Sequence, residues 1–427
     1  MARPLYFDLT HLAFRAGVAA LTGIDRVDLT YARALASSGE LAGAVHHGLV
    51  RPQVLPARRV GALVAAHDRR WKAEADPMLE LRFRAVRAWL LGEGAGGAAP
   101  TRKVAGVVPE LAHKAVGHLR KATAALRGGG ALPEGAIYLN VSQHAAERRG
   151  YYRWLESRRD VHAVFFLHDL LPLDHPEFWW PGHEALFEAR VATMLGRADA
   201  LIVASEAVRE RAMRELGARG LKRVPIHAAA LPSPLGGGLR AQDVDPALAE
   251  IPYCLMIGTI EPRKNHRLIL EVWRKLAESG QEPPKLVLVG GRGWGDTSAF
   301  DLALRSPALR GTVLEASGLG DGALRRLIVN ARAVLAPSFA EGFGLPIVEA
   351  LTLGTPILAS DIPVFREVGG GRAHLIDPAD EAAWAEAVMR LGPTDRSRIP
   401  VDGTSGGSDR TSRYFGDLFD FLRSLLL

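Results

Sequence analysis

The chain has 427 residues, 48% of them apolar and 23% charged, with a formal net charge of +6; this length implies two domains and this composition excludes a disordered chain. Its one cysteine, Cys254, excludes an intramolecular disulfide and fits a reducing cytoplasm. Pro4, Asp8 and His11 break up any leader-like start, and no run approaches the roughly 20 apolar residues a membrane span needs.

Short apolar segments alternate with helical patterns along the chain. Strands are expected at 4–10, 43–50, 136–142, 161–167, 200–204 and 224–230, then at 253–258, 285–290, 312–316, 333–336, 355–359 and 373–376. Such alternation implies parallel sheets flanked by helices. Between the two series, at 231–252, Pro, Gly and Asp cluster and periodicity fades, which places the interdomain linker there. The fold class is therefore α/β: two Rossmann-like domains, 1–235 and 250–405, facing across a cleft with a ligand at the carboxyl ends of the strands.

In the first half, residues 51–130 hold 15 Lys/Arg against 6 Asp/Glu, a net of +9 that leaves −3 for the remainder. Helices are expected at 77–91 and 110–126. A basic amphipathic surface of this kind either makes peripheral contact with an anionic membrane, at the inner face, or forms a solvated insertion spanning about 51–135. Nucleic acid is not expected as a partner, because neither a zinc pattern nor an aromatic-basic ribonucleoprotein string is present. The strand at 161–167 runs into His168-Asp169, presenting a histidine at a carboxyl end. Asn140-Val-Ser-Gln143 and Ser205 occupy other strand ends on the same side of the cleft.

In the second half, the strand at 253–258 leads through Gly258-Thr259-Ile-Glu-Pro-Arg263-Lys264-Asn265 into an amphipathic helix over 266–280, with Asn265 placed as its N-cap. Arg263 and Lys264 are thus two cations suited to a diphosphate. The stretch 285–295 lacks G-x-G-x-x-G spacing, so Gly290 and Gly291 read as a tight strand-end turn near a nucleotide. Asp243-Val-Asp245 lies in the linker, and no metal or cofactor is expected. After the strand at 333–338, Gly342 and Gly344 turn the backbone and Pro346 suits the first turn of a helix running to about 353. The free N–H groups of that helix make an anion site suited to phosphate. Glu349, expected on the first turn, either stabilises the helix or accepts hydrogen bonds from sugar hydroxyls. Glu341 precedes the helix and has no structural duty there. A carboxylate beside a phosphate site points to a sugar linked to a phosphate.

The string Glu341-Gly342-Phe343-Gly344-Leu345-Pro346-Ile-Val-Glu349 resembles the Glu-x7-Glu signature of retaining glycosyltransferases of family four, which have the GT-B fold. The resemblance implies transfer of a hexose from a nucleotide-diphosphate sugar, of GDP-mannose or UDP-glucose type, to a glycan or lipid-linked acceptor hydroxyl in bacterial surface polysaccharide synthesis. It implies that Glu341 binds sugar hydroxyls and Glu349 the nucleotide ribose. It places Lys264 on the donor phosphates and His168 against the transferred sugar, with Asp169 orienting the imidazole or capping the next turn. Gly258, Gly290, Gly342, Phe343, Gly344 and Leu345 would line the donor. Gly23, in Thr22-Gly-Ile-Asp-Arg-Val27, would lie against donor phosphate and acceptor, with Arg26 near an acidic acceptor group. Ser360-Asp361 and Glu367 resemble a further donor-side loop. Thr259 stands where the family commonly has an arginine, and Arg263 is the inferred substitute. The last helix, 410–427, would return to the first domain across the Gly/Ser-rich 402–408. Two other readings are a nucleotide-sugar epimerase of similar fold and a non-catalytic sugar-nucleotide-binding protein.

Overall fold

The computed structural model describes residues 3–15, 22–47, 52–72, 81–93, 131–295, 300–301, 304–392 and 407–425. The first sheet holds β1 (Leu5–Asp8), β2 (Leu41–His47), β3 (Pro52–Pro56), β4 (Ile137–Asn140), β5 (His162–Phe166), β6 (Ala200–Val203) and β7 (Ile226–Ala228), in the order β3-β2-β1-β4-β5-β6-β7. The second holds β8 (Tyr253–Ile257), β9 (Lys285–Val289), β10 (Val313–Ala316), β11 (Ala333–Ala336), β12 (Ile357–Ser360) and β13 (His374–Ile376), in the order β10-β9-β8-β11-β12-β13. Every pairing is parallel except β2 with β3. The parallel strands are covered on both faces, which is why β4, β6, β11 and β12 are buried along their whole length.

The sequence reading missed β3. Prolines stand at both its ends, and an edge strand tolerates them because, among the described residues, one side of it pairs with no strand.

Two helices connect distant parts of the chain. Helix Gly407–Ser424 buries Tyr414, Phe415, Leu418 and Leu422 in the core of the first sheet, where the Tyr414 hydroxyl meets that of Tyr31. Helix Leu81–Leu91 does the reverse. Grouped by sequence with the basic insertion of the first half, it instead buries Phe83, Val86 and Leu90 against Tyr253, Leu255 and Val287 of the second sheet. The spacing of those three residues is one helical stripe. Arg87 pairs with Asp245 at 2.8 Å, Arg82 donates to the Gly318 carbonyl at 2.6 Å, and Lys285 donates to the carbonyls of Trp89 and Leu90 at 2.9 Å. The helix expected at 110–126 lies outside the described residues. No helix among the described residues is long and apolar enough to cross a membrane.

Candidate active site

The carboxyl ends of the parallel strands meet at the seam between the domains, and the loops there carry most of the candidate residues. Beyond β8 the chain passes Gly258 into the single turn Pro262–Lys264, followed by helix His266–Glu278. Beyond β11 it runs through Ser338–Gly344 into helix Leu345–Thr352. These two loops converge on Glu341. Lys264 Nζ donates to Glu341 Oε1, Ser338 Oγ donates to the same oxygen at 2.8 Å, and Arg263 Nη1 lies 2.7 Å from Oε2. Burial pushes the Glu341 carboxyl up, but the charges of Arg263 and Lys264 prevail and hold it down to about 2.

Arg263 is heavily committed within this cluster. Its guanidinium also binds Glu261 at 2.6 Å and the Ala340 carbonyl at 2.8 Å. It therefore braces Glu341 and the β11 loop, and is poorly placed to replace an arginine at Thr259 on a phosphate. Lys264, a flexible point charge, is the cation better able to turn to an incoming anion. Asn265 does not cap the helix with its side chain. Its backbone is left-handed (φ 56°) and Nδ2 donates to the Pro378 carbonyl at 3.0 Å. A small pocket lies beside this cluster, bordered by Lys264, Ser338, Glu341, Gly344, Pro346 and Phe365.

Glu349 is the fifth residue of helix Leu345–Thr352, on the second turn and not the first. This position points it at the first domain, where Arg26 Nη1 lies 2.8 Å from Oε1. Arg26 Nη2 lies 2.7 Å from Asp321, so Arg26 is not available to an acidic acceptor. Burial drives the Glu349 carboxyl up to about 7 against the pull of Arg26, and Asp321 adds to the rise. Arg26 is held in place by the start of its helix, Gly23–Ser38, where Thr22 and Asp25 form a reciprocal cap and Arg15 grips Asp25 at 2.7 Å. Gly23 lies against Leu345, close enough that a Cβ there would sit 3.6 Å from its Cδ1.

His168 stands across the seam. Its Nε2–H donates to the Val141 carbonyl at 2.8 Å, leaving Nδ1 as the acceptor of the ring. Burial pushes the imidazole down to about 4, so it is neutral at pH 7. Asp169 accepts from the Leu171 N–H at 3.1 Å, which identifies it as a turn cap. Gly342 is the point of closest approach to these residues. A Cβ there would lie 2.7 Å from the His168 carbonyl and 2.8 Å from Asp169 Cβ, and its own carbonyl accepts from Ser205 Oγ at 3.2 Å. Phe343 and Leu345 pack into the core of the first sheet, so they anchor the seam. Gly290 closes the β8/β9 end, where any Cβ would overlap the Gly258 carbonyl.

Several residues expected at the cleft are spent on structure. Asn140 donates to Tyr152 Oη at 2.9 Å, Gln143 donates to the Phe166 carbonyl at 2.7 Å, and Glu367 accepts from the Glu206 N–H at 2.7 Å across the seam. Asp361 pairs with Arg366, Asp243 with Arg325 and Asp245 with Arg87. Among the described residues no group of three or more His, Cys, Asp or Glu is arranged to hold a metal ion. Asp321, Glu261 and Ser338 were missed by the sequence reading. Asp321 heads the helix after β10, just beyond Gly318 and Gly320, and that strand-end position is the signal that marks it.

Residues 245–395 match the model of glycosyl transferases group 1. The chain is 32% identical over 245 residues to the serotype-specific mannosyltransferase WbdA of Escherichia coli, covering 54% of this chain and 30% of that protein. It is 36% identical over 138 residues to O-antigen chain mannosyltransferase B of Escherichia coli, covering 32% of this chain and 36% of that protein. The chain thus spans well under half the length of these curated relatives. Among solved structures, Anabaena HepE in complex with UDP and glucose superposes with a TM-score of 0.56, covering 98% of this chain and 100% of that one at 13% identity. At that identity the likeness establishes the shared fold.

Proposed function

The chain has the GT-B fold of glycosyltransferases, and residues 245–395 carry the domain of glycosyl transferases group 1; from this we propose that it transfers a hexose from a nucleotide-diphosphate sugar to the hydroxyl of a glycan or lipid-linked acceptor in bacterial surface polysaccharide synthesis. The mannosyltransferases among its relatives make GDP-mannose the first donor to test, and the UDP and glucose of HepE make UDP-glucose the second. The observation that carries the reading is the cluster of Lys264, Arg263 and Glu341 at the seam, beside the start of helix Leu345–Thr352 and close to His168.

In this reading the donor diphosphate draws Lys264 away from Glu341. Lys264 and the helix N-terminus then balance the charge that grows on the leaving phosphate. Glu341, released, accepts hydrogen bonds from the sugar hydroxyls while Arg263 keeps it ionised and in place. His168 accepts from a further hydroxyl through Nδ1; being neutral, it acts as a hydrogen-bond acceptor and not as a cation. Glu349 accepts from the ribose. The acceptor oxygen bonds to the anomeric carbon on the face the phosphate leaves, the carbon–phosphate-oxygen bond breaks, and the hydroxyl proton passes to that phosphate oxygen. This order retains the anomeric configuration and uses no metal. Contact at Gly342 closes the domains and excludes the water that would hydrolyse the donor. Peripheral contact with an anionic membrane would draw on the basic segment 51–130, within which Arg82 and Arg87 bind inside the protein.

Nucleotide release from GDP-mannose and UDP-glucose, measured with a glycan acceptor, tests the reading. Lys264→Ala and Glu341→Ala are expected to slow release by about 100-fold or more, the scale for removing one electrostatic contact from a transition state. Unchanged rates would overturn the site assignment. An epimer formed from donor alone would favour the epimerase reading instead.

A further inference from the structure

Arg26 leaves helix Gly23–Ser38 of the first domain and crosses the seam to two elements of the second. It contacts Glu349 on helix Leu345–Thr352 at 2.8 Å and Asp321 on helix Asp321–Asn330 at 2.7 Å. The Arg26 side chain is 12% exposed and that of Glu349 only 2%, so water is a poor replacement for either partner. A planar guanidinium satisfies two carboxylates at once, which a lysine ammonium does less well. Without it, Glu349 and Asp321 would stand side by side on the second domain's face of the seam with their shared cation gone.

We propose that Arg26 is the positioning residue of the donor site, holding the two domains closed and orienting the Glu349 carboxylate so that it accepts the ribose hydroxyls. The ribose contact rests on the transfer reading; the clamp itself rests on geometry alone. A carboxylate accepts from two hydroxyls, whereas a protonated acid presents one of its oxygens as a donor and loses half the match. Arg26 and Asp321 are the charged groups that face Glu349, and they act in opposite directions. Removing Arg26 takes away the counter-charge that favours the ionised form, so a larger share of Glu349 is protonated at neutral pH when the domains come together on the nucleotide. The loss is therefore expected to shrink as pH rises.

Small-angle scattering of the ligand-free protein and calorimetric binding of UDP and GDP, each at pH 6, 7 and 8.5, test this with wild type, Arg26→Ala and Arg26→Lys. Arg26→Ala is expected to increase the radius of gyration and to weaken binding of the preferred nucleotide at least tenfold at pH 7, more at pH 6 and less at pH 8.5. Arg26→Lys is expected to recover only part of the affinity. Wild-type scattering and wild-type affinity in Arg26→Ala would overturn the proposal, as would an affinity loss independent of pH. If wild type bound neither nucleotide while Arg26→Ala opened, the donor reading would fall and the clamp would stand.

Discussion

Glu341 and Glu349 are chemically identical, eight positions apart, and driven in opposite directions by their surroundings. Two cations hold Glu341 down to about 2, while burial beside one shared arginine lifts Glu349 to about 7. Glu341 is depressed in the folded chain, so its stabilisation is fully present above the ordinary carboxylate value of 4.5 and is lost as pH falls towards about 2. Glu349 is raised, so its contribution is fully present below 4.5 and is lost as pH rises through about 7. Glu341→Gln is accordingly expected to flatten the acid limb of a stability–pH curve between pH 4.5 and 2. At pH 7 it is expected to cost about 3–5 kcal/mol by leaving Lys264 without its anion and Arg263 with Glu261 alone; equilibrium urea unfolding at pH 2, 4.5 and 7 checks this. At this scale Lys264 and Glu341 were legible as candidates, because both lie in short loops after apolar strands. The pairing of Arg26 with Glu349 was not legible, since 323 residues separate them and nothing local in either segment signals the other.

Helix Leu81–Leu91 shows how an element is read correctly and assigned to the wrong neighbour. Its apolar stripe of Phe83, Val86 and Leu90 marks a helix with one buried face, but a stripe carries no information about which core it meets. Phe83→Ala is expected to destabilise the second domain by about 3–5 kcal/mol, with hydrogen exchange accelerated in β8 and β9 before it changes in β1 and β4. Wild-type protection in β8 and β9 would contradict that packing. The loop before helix Leu345–Thr352 makes the complementary case. Its glycines signalled close approach, and the structure identifies what approaches Gly342: the backbone of His168 and the side chain of Asp169. Gly342→Ala is expected to lower kcat/KM by about tenfold or more, because a Cβ would separate the two loops by a fraction of an ångström, while the thermal midpoint stays within a few degrees of wild type.

For the whole molecule, the alternation of strands and helices announced two parallel sheets, and most of those strands are found where the apolar runs place them. The seam between the sheets was much harder to read. Phe343 and Leu345 belong to the second domain by sequence yet pack into the first core, and Trp294 donates to the Phe178 carbonyl across the same seam. Such contacts depend on how two folded domains meet, which no local pattern records. In the proposed transfer Lys264, held by Glu341 at that seam, is the group that turns to the donor diphosphate. The most direct test is the initial rate of nucleotide release by wild type and Lys264→Ala across a panel of nucleotide sugars. Wild type is expected to turn over at least one hexose donor and Lys264→Ala to lose at least a hundredfold; equal rates, or no donor turned over with any acceptor, would contradict the proposed role of Lys264.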